Sequence, residues 1–448
     1  MNDASAEASV GWGSSSPKPQ ARIRRRDVIP PLIAVFFLTL AHLLFGASEP
    51  MPALVLSICL IAAALASIAA SGPRHVTTGM IVGAVLIWAF AVTGAAGGLE
   101  RAAPELAVLF AAGAMWAIGY VCARKRGALD IVWAGLVWTS FVYCAWMFFS
   151  QMGAVLSGDE TTTIADSFES PASASLLFGM FTMIGSARVF HVVKQMDAEA
   201  LARSEMIDRL MRDALGGMLL LVFAITCLTL SGSRVGIVLT AAVLLGHAWW
   251  DTHAIASRAH RGMIIKIGSR IAPLAAIGLA VWGVSLAWLQ DESVIPGLGL
   301  PDTLPHLQRL QAYITAWLEK PLFGHGLGSI GVIGDRSMTL VNAKAMLAPG
   351  GAQNVFVHWL VEAGAAGLTA FLAFIGAMHI RIAIALNKRP APRTFMRLAF
   401  ALSMLLLLHG VSDSSLDLPG VAWLYALLLG AACGVATAKP SRNTGSPG

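Results

Sequence analysis

Apolar runs of about 20 residues, parted by short polar stretches, repeat along almost the whole chain. A run of that length crosses the roughly 30 Å hydrocarbon layer as one helix. Strict apolar/polar alternation over short segments, the mark of a membrane β-barrel, is absent. The runs predict membrane-spanning helices at 28–46, 52–71, 77–97, 103–123, 129–149, 172–192, 214–231, 235–250, 271–289, 366–386, 395–412 and 418–437. The expected fold is an all-α polytopic membrane protein with about twelve transmembrane helices and one large extracytoplasmic loop containing an amphipathic helix.

That loop is the one long interruption. The stretch from Gln290 to Gly367 is too polar to lie in a bilayer, and it predicts a division of the chain. Residues 1–27 form a disordered cytoplasmic tail, 28–289 the first nine spans, 290–365 the outer loop, 366–437 the last three spans, and 438–448 a second cytoplasmic tail. A signal peptide is a poorer reading of the first run, because no small-x-small cleavage site ends it and further spans follow.

Composition agrees. Hydrophobic residues make up 56% of the chain and charged residues only 12%, against about 25% charged in a soluble domain. The net charge of +6 does not point to nucleic acid, because the cations sit in loops. With Arg22 to Arg26 placed inside, alternation puts Arg124 to Arg126, Arg188 to Arg212, Arg258 to Arg270 and Arg381 to Arg397 inside as well. The acidic run Ser157 to Glu169, Asp291, Asp413 and Asp417 then fall outside, as the positive-inside rule requires. The segment Lys194 to Asp213 carries mixed charges at helical spacing and predicts an interfacial helix continuing the sixth span. Cys59, Cys122, Cys144, Cys227 and Cys433 lie in or beside apolar runs without CxxC spacing, and read as small buried hydrophobes. No metal site is expected.

The exceptions to the charge rule carry the candidate chemistry. Arg101, Arg234, Arg309, Lys320, Arg336 and Lys344 fall outside, several beside the long loop, which suits an anionic ligand such as a phosphate. In that loop Thr303 to Glu319 predicts an amphipathic surface helix, with Leu307, Leu310, Ile314, Trp317 and Leu318 on its apolar face and Arg309 on its more polar side. Next comes a glycine turn, with Gly324, Gly326 and Gly328 around His325, whose backbone freedom allows a ligand close approach. Gly350-Gly351 precede Gln353 and Asn354, which open a short helix broken near Gly364 before the next span. Ser231 to Gly236 is a tight turn that holds Ser233 and Arg234 on the outer face.

Three blocks taken together resemble the O-antigen ligase and O-antigen polymerase superfamily of bacterial inner-membrane glycosyltransferases. They are SGSRVG around Arg234, RLQAYITAWLEKPLFGHGLG from Arg309, and QNVFVHWLVEAGAAG from Gln353. The resemblance implies a donor glycan on undecaprenyl pyrophosphate and transfer to a sugar hydroxyl at the periplasmic face, without a cofactor. It implies both termini in the cytoplasm, the lipid bilayer and other polysaccharide assembly proteins as partners, and no nucleic acid. Arg234 and Arg309 would neutralise the pyrophosphate, while Ser233, Gly324, Gly326, Gly328, Arg336, Gln353 and Asn354 would line the substrate. One position departs from the pattern. Where the ligases carry a histidine, this chain has Gln353, which cannot act as a base. His325, His358, Glu362 and Asp413 are the substitutes, with His325 ranked first. The departure favours a polymerase of repeat units over a ligase to lipid A-core. A transporter is the rival class, disfavoured because the span interiors hold almost no charge, His42 being the nearest case. A non-catalytic assembly subunit is a third reading.

Overall fold

A computed structural model describes residues 25–44, 50–71, 98–125, 127–157, 168, 170–199, 203–256, 275–282, 304–347, 351–388 and 393–438. Among them there is no strand. Eight helices are long and apolar enough to cross a membrane. In chain order the helices are α1 (Arg25–Leu43), α2 (Pro50–Ser71), α3 (Leu99–Ala123), α4 (Ala128–Leu156), α5 (Pro171–Glu199), α6 (Arg203–Arg209), α7 (Leu215–Leu230), α8 (Arg234–Ala256), α9 (275–282), α10 (Leu304–Glu319), α11 (Ile330–Ser337), α12 (Ala343–Met346), α13 (Val355–Lys388), α14 (Arg393–Gly410) and α15 (Pro419–Thr437). A π-helical turn, Leu210–Ala214, joins α6 to α7, and a 3-10 turn, Ser415–Asp417, precedes α15.

Helices lie over ten of the predicted spans. The third, 77–97, lies outside the described residues, and the ninth is described as helix only over 275–282. Residues 1–24, 290–303 and 439–448 also lie outside them, and residues 25–27, assigned to the first tail, are instead the start of α1.

Small residues set the tightest packing, as lipid-embedded helices require. A Cβ on Gly430 of α15 would stand 2.0 Å from Trp116 O of α3, and one on Gly119 would stand 2.1 Å from Leu427 O. The two backbones therefore touch. Helices α5, α7, α8 and α14 pack around one another beside this pair. Phe178, Phe181 and Trp423 are fully buried at the centre. Four of the cysteines are buried and all five are free thiols, but Cys59 is exposed, contrary to the sequence expectation, because it faces outward from α2.

A second, smaller core sits at one end of the bundle. Tyr313 and Ala316 of α10, Ile333 of α11, Ala352, and Val357 and Val361 of α13 enclose it. Helix α13 is two helices in series. Gly364 has φ 67° and ψ −174°, which breaks it into 355–363 and 365–388. The break falls where the glycines predicted it, and the long membrane-crossing part follows it.

Candidate functional site

The amphipathic helix buries part of its predicted face, since Leu310, Ile314 and Trp317 pack against the smaller core. Leu307 and Leu318 are 45% and 61% exposed, whereas Arg309 is only 4% exposed. Arg309, Tyr313 and Ala316, at i, i+4 and i+7, form the buried stripe of α10. Placing Arg309 on the polar side is therefore corrected. A buried guanidinium needs acceptors, and Arg309 Nε donates to Ala345 O at 2.8 Å, with Nη2 reaching the same oxygen. This fork ties α10 to α12.

Tyr313 lies one turn further along, its hydroxyl oxygen 2.7 Å from where a Cβ on Gly334 of α11 would sit. Burial pushes its phenol above the usual tyrosine range, against a smaller downward pull from Arg309 and His358. Tyr313 therefore lies within electrostatic reach of both Arg309 and His358, at the interior of the site.

That interior is an imidazole flanked by carboxylates. His358 Nδ1 lies 2.8 Å from Asp417 Oδ2, and His358 Nε2 lies 3.5 Å from Glu362 Oε1. Glu362 is 4% exposed and also accepts from Ile330 N, at the start of α11, at 3.1 Å. His358 and Glu362 share a face because they are four residues apart on the first half of α13. Asp417 arrives from the 3-10 turn before α15. Three charged groups held this closely must offset one another's desolvation.

The glycine turn is bound into this cluster. His325 N donates to Val361 O at 2.7 Å and Gly326 N to Glu362 O at 2.9 Å. From the other side of the break, Ala365 N donates to Pro321 O at 2.9 Å and Ala366 N to Leu322 O at 3.0 Å. The break at Gly364 frees carbonyls and amides that the turn then satisfies. Gly324, Gly326 and Gly328 have φ of 67°, 100° and 72°. A Cβ on Gly324 would stand 2.5 Å from Glu362 O, and one on Gly328 would stand 2.3 Å from Arg101 O. The close approach that these glycines allow is to the protein's own backbone. His325 Nε2 lies 2.8 Å from Ala316 O. A carbonyl only accepts, so this nitrogen carries the proton and Nδ1 is the ring's remaining acceptor.

Asn354 is the N-cap of α13. Its Oδ1 accepts from Phe356 N and Val357 N at 3.0 and 3.1 Å, and its Nδ2 donates to Val411 O at 2.8 Å. Gln353 just before it has φ 46°, the sole non-glycine positive φ among the described residues. Such a backbone costs about 1–3 kcal/mol and persists only where the surroundings impose it. Arg336 pairs with Glu319 at 3.5 Å on the exposed side of α11.

A seam of hydroxyls runs from this cluster to the remaining arginine. Asp413, 5% exposed, accepts from Ser170 Oγ at 3.3 Å and Ser173 Oγ at 3.0 Å. Ser415 Oγ donates to Ser173 Oγ at 3.1 Å, and the same turn carries Asp417. Two residues on, Ser175 Oγ lies against Gly236, whose amide donates to Ser233 Oγ at 3.1 Å. Ser233 thus caps α8, and Arg234 follows it, exposed at the same end of the bundle. Arg234, Arg309, His325, His358, Glu362 and Asp413 all gather at this end. Tyr313 and Asp417 were not singled out from sequence. The i, i+4 spacing of His358 and Glu362 was legible, whereas the contact with Asp417 joins residues far apart in the chain.

Among the described residues no three His, Cys, Asp or Glu side chains form a group that could hold a metal ion. In comparison with known proteins, no family model and no curated sequence matches the chain.

Proposed function

We propose that the protein is a glycosyltransferase of the bacterial inner membrane, with twelve spans, both termini in the cytoplasm and its active end at the periplasmic face. It would move a glycan from undecaprenyl pyrophosphate to a sugar hydroxyl, polymerising repeat units of an exopolysaccharide or O-antigen. The observation that supports this reading most is the buried cluster of His358, Glu362 and Asp417, gathered with Arg309 at the end of the bundle where Arg234 is exposed. A reaction between a lipid-borne donor and a water-borne acceptor calls for such a place.

The chemistry is a displacement at the anomeric carbon. The bond from C1 to the pyrophosphate oxygen breaks, and a bond from C1 to the acceptor oxygen forms. Pyrophosphate leaves without an acid if its charge is neutralised, which Arg234 at the mouth of the site is suited to do. The acceptor proton goes to the carboxylate of Glu362, while His358, an imidazolium between Asp417 at Nδ1 and Glu362 at Nε2, fixes that carboxylate. Glu362 thereby takes precedence over His325, whose Nε2 is engaged by Ala316 O. Gln353 has no part in proton transfer. Arg309 has a positioning role through Ala345 and Tyr313.

Arg234 offers the cleanest test, because it is exposed. Arg234→Ala, reconstituted with a polyprenyl-pyrophosphate oligosaccharide, is expected to lose transfer about 100-fold or more while keeping the wild-type melting temperature. Unchanged polymer length and rate would contradict the assignment. Glycan flux across vesicles without any transfer would favour the transporter reading instead.

A further inference from the structure

The opposite end of the bundle holds a cavity that the proposed reaction does not use. It has a volume of about 320 Å³ and lies between the first turns of α4, the second half of α5 and the start of α7. From Ser173 to Arg188, α5 climbs about 22 Å at 1.5 Å per residue, so this cavity is remote from the His358 cluster.

Its wall changes character along its length. At one end are Asp130, Arg188, Arg212 and Asp213, and at the other are Trp133 and Trp138. The side chain of Arg212 is 70% exposed and Trp138 is 47% exposed. On an apolar bundle, an exposed indole at the apolar end faces lipid, and exposed charge at the polar end faces water. The cavity therefore straddles the membrane interface, with its polar end outward. The π turn Leu210–Ala214 supplies Arg212 and Asp213, and it is an irregularity of the kind that helices adopt at functional sites.

Three polar groups remain for a ligand once the internal pairs are made. Arg212 is paired with Asp208, Asp213 with Arg209 at 3.5 Å, and the lining residues Gln195 and His191 with each other at 3.1 Å, His191 also reaching Thr394 Oγ1 at 3.3 Å. Arg188 gives its Nε to Asp213 O at 3.0 Å, which leaves its terminal nitrogens for the cavity it lines. Asp130 also lines the cavity, exposed and within electrostatic reach of Arg188. Trp133 is 2% exposed, lines the cavity, and its indole N–H has no hydrogen-bond partner. A buried donor without a partner is rare and costly. The available set is thus one guanidinium and one indole N–H beside one carboxylate.

We infer that this cavity binds the headgroup of a zwitterionic glycerophospholipid bearing a primary ammonium. The phosphate meets Arg188 and the Trp133 N–H, the ammonium meets Asp130, and the glycerol and acyl carbons lie along Trp138. A net-anionic headgroup would leave Asp130 opposed by like charge, and a quaternary ammonium would offer it no N–H.

Native mass spectrometry of the full chain, released from an equimolar mixture of phosphatidylethanolamine, phosphatidylcholine and phosphatidylglycerol, tests this. Wild type is expected to retain one phosphatidylethanolamine about tenfold over either competitor. Arg188→Gln should lose retention of all three. Asp130→Asn, an exposed position that leaves the fold intact, should keep a lipid but lose the preference for ethanolamine over choline. Equal retention of the three lipids by wild type, or an unchanged preference in Asp130→Asn, overturns the inference. Soluble glycerophosphoethanolamine distinguishes the source of the headgroup. Failure to compete at millimolar concentration supports a lipid, and competition at micromolar concentration overturns the lipid assignment in favour of a free phosphate ester.

Discussion

The two ends of the bundle both bury charge, and they do it in opposite ways. At the end away from the candidate site, Asp251 is fully buried and takes Lys194 Nζ and Arg397 Nη1 at 2.6 Å each, with His247 Nε2 at 3.8 Å. One carboxylate there binds cations from α5 and α14 to α8, and Arg397 also lies over Trp250 at 5.5 Å. At the candidate site the ratio inverts. Two carboxylates, Asp417 and Glu362, share one imidazole, and the nearby Arg309 is tied to a carbonyl rather than to either of them. The first arrangement neutralises charge and fastens three helices. The second leaves protons to be shared, which suits chemistry better than fastening.

Breaking the fastening end should give the largest loss of stability. Asp251→Ala leaves two cations uncompensated, and is expected to cost about 3–5 kcal/mol. Thermal unfolding in detergent checks this, and transfer per folded molecule should stay at the wild-type value. A variant of wild-type stability would show that water already reaches Lys194 and Arg397.

Gly364→Ala comes next. Its Cβ would stand 2.3 Å from Leu322 O at a φ of 67°, so strain and overlap together are expected to cost about 2–5 kcal/mol. The loss should appear in the outer core, as faster amide exchange at His325, Gly326, Ala365 and Ala366. Uniform exchange across the chain would mean that the turn and the broken helix do not form one unit.

Asn354→Ala removes the cap of α13 and its tie to Val411. The expected cost is about 1–2 kcal/mol, read as a lower melting temperature with a small change in transfer. A complete loss of transfer at full stability would instead place Asn354 on the substrate.

The helices were legible in the sequence because hydrophobic length alone dictates them. Helices lie over ten predicted spans, several running well past the predicted ends, as α4 does to Leu156 and α5 to Glu199, and the break at Gly364 falls among the glycines of an apolar segment. The buried face of α10 was legible only in part: Leu310, Ile314 and Trp317 lie against the core, but so does Arg309. Arg309 looks polar by type, and its burial depends on Ala345 O, brought in by a separate helix. The glycine turn was visible, but its partner was not. Backbone groups freed at Gly364 claim the amides of His325 and Gly326, and one-dimensional spacing says nothing of that pairing. Asp417 is assigned to the outer side by charge alternation alone, and its contact with His358 depends on how the last helical pair packs.

The central claim is that the inverted charge balance around His358 serves proton transfer. The direct measurement is the rate of glycosyl transfer by purified Glu362→Gln, with a polyprenyl-pyrophosphate donor, beside its melting curve. The expected result is a loss of about 100-fold or more with a folded protein, in line with removal of a general base. Transfer at the wild-type rate by folded Glu362→Gln would contradict it.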